Sequence, residues 1–163
     1  MRDKSILRMI HLGLSAALVF VATYFIKIVL PIGYIHIGDG MILASATLLG
    51  PVAWLPAALG SSLADLMLGF TPYALPTFLI KGLVGLVAGF LLTRVHKTWL
   101  VGVIFIAVEL LMVGGYFVTE SFMYGINGAI PAIPSNLIQG ASGVIIGFIV
   151  YPYMVSLRRR VEV

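Results

Sequence analysis

His36, Asp39, Asp65 and Lys81 are the residues of this chain best placed to do chemistry. They interrupt a stretch, Tyr34 to Gly89, that otherwise reads as hydrocarbon-soluble. A charge at the centre of a membrane segment costs roughly 2.5–3.5 kcal/mol on insertion scales, so such groups pair with one another or face a polar cavity. Two kinds of chemistry follow: recognition of a polar ligand, or an ion relay in which Asp65 and Lys81 are joined by Glu109, alone in a later apolar run. Bond-making chemistry finds little support. There is no cysteine, His11 and His96 are assigned to the cytoplasmic edge and His36 to the outer one, and neither a metal site nor a haem clamp by two histidines at one depth is expected. No HExxH, no GxxxxGK[ST] phosphate loop and no dinucleotide fingerprint occurs. The chain is read as a non-enzyme with no cofactor.

The elements that must hold these residues are membrane helices. The chain is 61% hydrophobic and 10% charged, with a mean hydropathy of +1.12. A soluble domain carries about 25% charged residues. The net charge of +4 does not point to nucleic acid, because the basic residues lie at the ends of apolar runs. The opening MRDKSILR has the charge pattern of a signal peptide, but the apolar run from Met9 to Leu30 is long enough to span and is read as the first transmembrane helix.

Breaker clusters then divide the chain. They are Pro31-Ile32-Gly33, Gly50-Pro51, Phe70-Thr71-Pro72, RVHKTW at 94–99, and the segment from Gly125 to Pro134. The expected architecture is all-α: one integral membrane domain over residues 1–163 with six transmembrane helices. These run from about Ser5 to Leu30, 40 to 50, Val52 to Gly69, Tyr73 to Thr93, Leu100 to Tyr124 and Ser135 to Leu157. Helix 2 is short, roughly 16 Å at 1.5 Å per residue. Pro56 lies one turn into helix 3, where a kink is tolerated if neighbours re-satisfy the freed carbonyl. Gly82, Gly85 and Gly89 make a face for close helix approach. Gly13 and Ala17 make another on helix 1, serving either internal packing or the docking of a partner.

Of the ten Lys and Arg residues, Arg2, Lys4, Arg8, Arg94, Lys97 and Arg158 to Arg160 fall on one side if both termini are cytoplasmic. Lys27 and Lys81 fall within helices. In this frame Asp39 sits at the outer end of helix 2, as an N-cap or a ligand contact. Asp65 and Lys81 lie roughly 6 and 12 Å below the outer surface, so Lys81 is expected to reach Asp65, locking helices 3 and 4 or forming the base of a pocket. His36, Tyr73, Thr77, Tyr116, Glu120, Tyr124, Asn127, Asn136 and Gln139 also favour the outer half. Tyr24, Tyr34, Phe70 and Tyr73 would each serve in an interfacial aromatic belt. Together the polar groups describe a cavity that opens outward and suits a small, flat, polar ligand. The residues expected to bind it are His36, Asp39, Tyr73, Tyr116, Glu120, Asn136 and Gln139.

YIHIGDGMILASATLLGP, then GSSLADLMLGF, then PTFLIKGLVGLVAGF, resembles the membrane-embedded S components of energy-coupling factor (ECF) vitamin transporters, nearest the hydroxymethylpyrimidine/pyridoxine-type and some riboflavin-type members. Ile37 before Gly38-Asp39, and Gly40 after it, depart from the pattern. The resemblance implies a substrate-specificity subunit of an ATP-driven importer in the plasma membrane of a bacterial cell. It would take a vitamin or precursor from outside, beneath a lid formed by residues 31–38. Its implied partners are a transmembrane coupling subunit, docked near Gly13 and Ala17, and two cytoplasmic ATPases. Pyridoxine or a hydroxymethylpyrimidine is the first expectation for substrate. The alternative is a self-contained secondary carrier or channel relaying ions through Asp65, Lys81 and Glu109.

Overall fold

The computed structural model describes residues 4–30, 34–95 and 97–161, with the side chains of residues 4 and 161 outside that description. Arg2, the Pro31-Ile32-Gly33 breaker and His96 lie outside the described residues.

Helix α1 (Lys4–Tyr24) ends earlier than expected. Lys27–Val29 (β1) pairs antiparallel with Tyr34–His36 (β2), Ile28 opposite Ile35. The reading of helix through Leu30 is thereby corrected, and the all-α fold gains one small hairpin. Ile28 and Val29 are β-branched and favour extended backbone, and Leu30 precedes a proline, which disfavours the helical region. Lys27 is therefore on a strand, where its ammonium bonds the Tyr24 carbonyl and lies 4.8 Å from the Tyr24 ring centroid.

Helix α2 (Gly38–Leu49) is buried at every position except Met41, as befits a helix apolar on all sides. Gly50, at φ 63° and ψ −144°, ends it, and a 3-10 turn (Gly50–Ala53) leads into α3 (Trp54–Leu68). Pro56 falls in the first turn of α3, where its missing N–H has no intrahelical role, so no interior kink arises. A left-handed Gly69 closes α3. After it come α4 (Thr71–Leu92), α5 (Thr98–Tyr124), a short α6 (Ile126–Ala129) with a 3-10 turn (Ile130–Ala132), and α7 (Ile133–Val161).

Contacts fix the helix directions. Asp39 at the start of α2 meets Lys81, and Gly50 just past its end lies against Gly89, so α2 runs the same way as α4. Ala53 and Ala57 lie against Gly85, and only residues 69–70 separate α3 from α4, so α3 runs the opposite way. The glycine face of α4 makes this seam possible: a Cβ on Gly85 would stand 2.8 Å from the Ala53 carbonyl oxygen, and one on Gly89 2.0 Å from that of Gly50.

The core gathers Ile42 and Leu43 of α2, Val84 and Ala88 of α4, and Val101, Phe105 and Met112 of α5. Outward faces carry Met9, Ile10, Leu14, Leu75, Leu79, Val103, Ile106, Ile145 and Ile149, the inverse of a soluble surface. Among the described residues, five helical stretches are long and apolar enough to cross a membrane: Ser5–Tyr24, Gly38–Leu68, Thr71–Leu92, Thr98–Tyr124 and Ile126–Arg160. The protein is an all-α membrane protein.

Candidate binding cavity

The hairpin lays one end of the helix bundle under cover. Residues 34 and 36 alternate onto the same face of β2, so Tyr34 and His36 both turn inward. Beneath them is a cavity of about 40 Å³, lined by Asp65, Phe70, Tyr73, Thr77, Tyr116, Glu120, Ser135, Asn136 and Gln139 among others. Aromatic rings run along it: Tyr34 lies 5.2 Å from His36 and 5.1 Å from Phe70, and Phe70 lies 6.4 Å from Tyr73, centroid to centroid.

The polar groups form a connected set. Tyr34 donates its hydroxyl to Asp65 Oδ1 at 2.5 Å, and Tyr73 donates to Glu120 Oε1 at 3.5 Å. Thr77 and Tyr116 bond each other at 2.9 Å. Gln139 uses both ends of its amide: Oε1 accepts the His36 backbone N–H at 3.3 Å, and Nε2 donates to Asp39 Oδ2 at 2.8 Å. Lys81 donates to Asp39 Oδ1 at 2.5 Å, and its ammonium lies 5.4 Å from the Tyr116 ring centroid. Burial pushes the His36 imidazole down to about 3; Asp39 opposes this and Lys81 adds to it. Burial, reinforced by the Asp65 carboxylate, raises the Tyr34 phenol, which therefore remains a hydrogen donor.

Of the seven residues expected to bind ligand, His36, Tyr73, Tyr116, Glu120, Asn136 and Gln139 line the cavity, and Asp65 joins them. Asp39 is not on the wall. It is fully buried in the first turn of α2, linked to the cavity through Gln139 and, by way of Lys81, to Tyr116, and makes no capping bond. The expected Asp65–Lys81 lock is replaced by Lys81–Asp39 and Tyr34–Asp65. The reason lies in helical phase. Lys81 shares a face of α4 with Val84 and Ala88, in the core with Ile42 and Leu43 of α2, whereas Gly82, Gly85 and Gly89 face α3 and the turn before it. Glu109 joins neither set: both its carboxylate oxygens are buried without a hydrogen bond, so no bonded relay links it to Asp65 or Lys81. It lines an apolar groove between α5 and α7.

Tyr34 and Phe70, read singly as belt aromatics, are wall residues, and Ser135 was not singled out. The period-two relation of Tyr34 to His36 was the available signal. Gly13 and Ala17 are exposed on the outer face of α1, and Ala17 borders an apolar groove shared with Gly60 and Leu63 of α3.

Residues 3–156 match the family described as the ECF-type riboflavin transporter, S component. The chain belongs to that family. S components are parts of membrane transporters; they bind a small vitamin substrate and work with membrane coupling and ATPase subunits. This S component is also 35% identical over 134 residues to an uncharacterized protein from Pyrococcus woesei, covering 79% of this chain and 88% of that protein. It is 39% identical over 98 residues to the thiamine precursor transporter HmpT of Lactococcus lactis subsp. cremoris, covering 60% of this chain and 52% of HmpT. The chain thus matches about half the length of HmpT.

Proposed function

We propose that this S component is the substrate-specificity subunit of an ATP-driven ECF importer, taking a small flat vitamin precursor from the outer face of the plasma membrane. A hydroxymethylpyrimidine or pyridoxine is the first candidate, in keeping with the similarity to HmpT, a thiamine precursor transporter. The carrying observation is the cavity beneath the hairpin, where aromatic rings and two carboxylates converge at one end of an otherwise apolar bundle. Rings of Tyr34, Phe70 and Tyr73 would sandwich a heterocycle, while Asp65, Glu120, His36 and Asn136 would meet its polar edge.

At about 40 Å³ the cavity is far below the roughly 300 Å³ of a ligand pocket, so the hairpin must lift for a vitamin to enter. Among the described residues, only Tyr34–Asp65 and His36–Gln139 bond the hairpin's inner strand to helices across the cavity, which makes it the part suited to move. In this reading α2 and α3 cross as separate short spans, giving six passes with both termini cytoplasmic. The supports are the reversal of chain direction at Gly50 and the basic residues Arg94, Lys97 and Arg158 to Arg160. The exposed strip at Gly13 and Ala17 would dock the coupling subunit, behind which two ATPases act.

Calorimetric titration of the purified chain with hydroxymethylpyrimidine, pyridoxine, thiamine and riboflavin tests the reading. Saturable binding of one of them is expected. If none binds, the proposal fails.

A further inference from the structure

The cavity wall has a fixed hydrogen-bond polarity, set by which atoms are already used. Gly38 donates its backbone N–H to His36 Nδ1 at 3.0 Å. A backbone amide can only donate, so Nδ1 holds a lone pair and the neutral ring carries its hydrogen on Nε2. The arrangement depends on Gly38: a Cβ there would stand 2.1 Å from Thr23 Oγ1 and 2.9 Å from His36 Nδ1. No protein group among the described residues takes the Nε2 hydrogen, and His36 lines the cavity, so this edge offers one donor. Burial keeps the ring neutral down to about pH 3, which preserves the single-donor form.

The carboxylates have the opposite character. Asp65 Oδ1 and Glu120 Oε1 each accept from a phenol, and Asp65 Oδ2 and Glu120 Oε2 are buried with no partner. Thr77 lies close to Asp65, and its hydroxyl, when it accepts from Tyr116, has its own hydrogen free for that carboxylate. Both carboxylate side chains are nearly enclosed, 4% and 5% exposed, so Glu120 Oε2 depends on what fills the cavity for a donor, and Asp65 Oδ2 on that or on Thr77. Gln139 is fully committed, and Asn136, whose amide both donates and accepts, does not set polarity.

We propose that His36 Nε2–H meets a ring-nitrogen acceptor of the ligand, while Asp65 Oδ2 and Glu120 Oε2 meet two of its donors. This rests on the vitamin-binding reading of the cavity and narrows it. The ligand class is a six-membered nitrogen heteroaromatic with amino or hydroxymethyl donors. The imide edge of a flavin, two carbonyl acceptors around one N–H, meets the carboxylates with the wrong sign, so a flavin would have to supply their donors from its ribityl hydroxyls instead. An unmatched polar contact in so enclosed a site is expected to weaken binding at least about tenfold.

The test is calorimetry on the full chain in detergent. The probes are 4-amino-5-hydroxymethyl-2-methylpyrimidine, pyridoxine and riboflavin, with analogues of the first two. In one analogue set an amino or hydroxyl donor is replaced by methyl or hydrogen; in the other each ring nitrogen in turn is replaced by CH. Removing a donor should weaken binding at least about tenfold, and so should removing one particular ring nitrogen. In His36→Asn, whose side-chain oxygen can still accept from Gly38, that nitrogen should matter less than about twofold, and a thermal melt checks the fold. The wild-type comparisons stand without the variant. Unchanged affinity across the analogues, or riboflavin binding tighter than both other probes, overturns this inference and leaves the transport reading intact. Silence of all three probes overturns this inference, and the transport reading falls with it when thiamine is silent as well.

Discussion

Lys81 and Asp39 meet at 2.5 Å with neither side chain exposed, joining the middle of α4 to the first turn of α2. An enclosed pair of this kind contributes little over an apolar replacement, yet breaking it strands a charge. Lys81→Met should therefore destabilise the protein by about 3–5 kcal/mol, and Asp39→Asn in the same background should recover part of the loss. Thermal melts in one detergent decide this. A double variant no more stable than Lys81→Met shows that the two residues are not coupled. Asp65→Asn should give Lys81→Met no such rescue.

The hairpin's hold on the bundle is open to a similar test. Tyr34→Phe removes the bond to Asp65 Oδ1 and keeps the ring beside His36 and Phe70. A hydrogen bond to a charged acceptor is worth about 1.5–3 kcal/mol. Ligand release, followed by stopped-flow fluorescence, should speed up about tenfold or more, and the melt should also fall, because both Asp65 oxygens are then without a partner. An unaltered release rate would mean that this bond does not hold the hairpin shut.

Acid should weaken the fold through His36. Below about pH 6.5 the unfolded chain takes up a proton at this position, whereas the folded protein does so only near pH 3. The unfolded state then binds more protons, so stability falls as pH is lowered, by at most about 1.4 kcal/mol per pH unit from this group. Melting temperature should decline between pH 6.5 and 5 in the wild type and decline less steeply in His36→Asn. Parallel profiles would show that His36 is not the group responsible.

Two glycines should respond oppositely to valine. Gly85→Val drives a side chain into Ala53 and Ala57 and should cost several kcal/mol or prevent folding. Gly13 has nothing within 4 Å of a Cβ, so Gly13→Val should melt like wild type. If α1 carries the docking face, that variant should lose co-purification of the coupling subunit; retention would remove Gly13 from the interface.

The position of the site was readable because the background is so apolar that every polar residue stands out: His36, Glu120, Asn136 and Gln139 were found without knowing how the helices pack. Pairing was not readable by depth alone. Asp65 and Lys81 fall at compatible heights, but rotation about α4 decides the partner, and the phase carried by Val84, Ala88 and the three glycines assigns Lys81 to α2. The hairpin was hidden because Lys27 to Leu30 is as apolar as the helix before it, so hydropathy extends α1 over residues whose β-branching and following proline favour strand. The tautomer of His36 lies beyond composition altogether, since it depends on one backbone amide two residues away.

Gly50 carries a consequence for sidedness. Residues 38 to 68 form one helical interval of 31 residues, apolar on average despite Asp39 and Asp65, and an accounting by hydropathy enters it once. An odd tally of crossings would leave Lys4 and Arg158 on opposite faces of the bilayer. On the six-pass proposal the chain doubles back at Gly50, the tally becomes even, and the two ends would share a compartment. That parity would then turn on one residue with a backbone angle that side-chain-bearing residues rarely adopt.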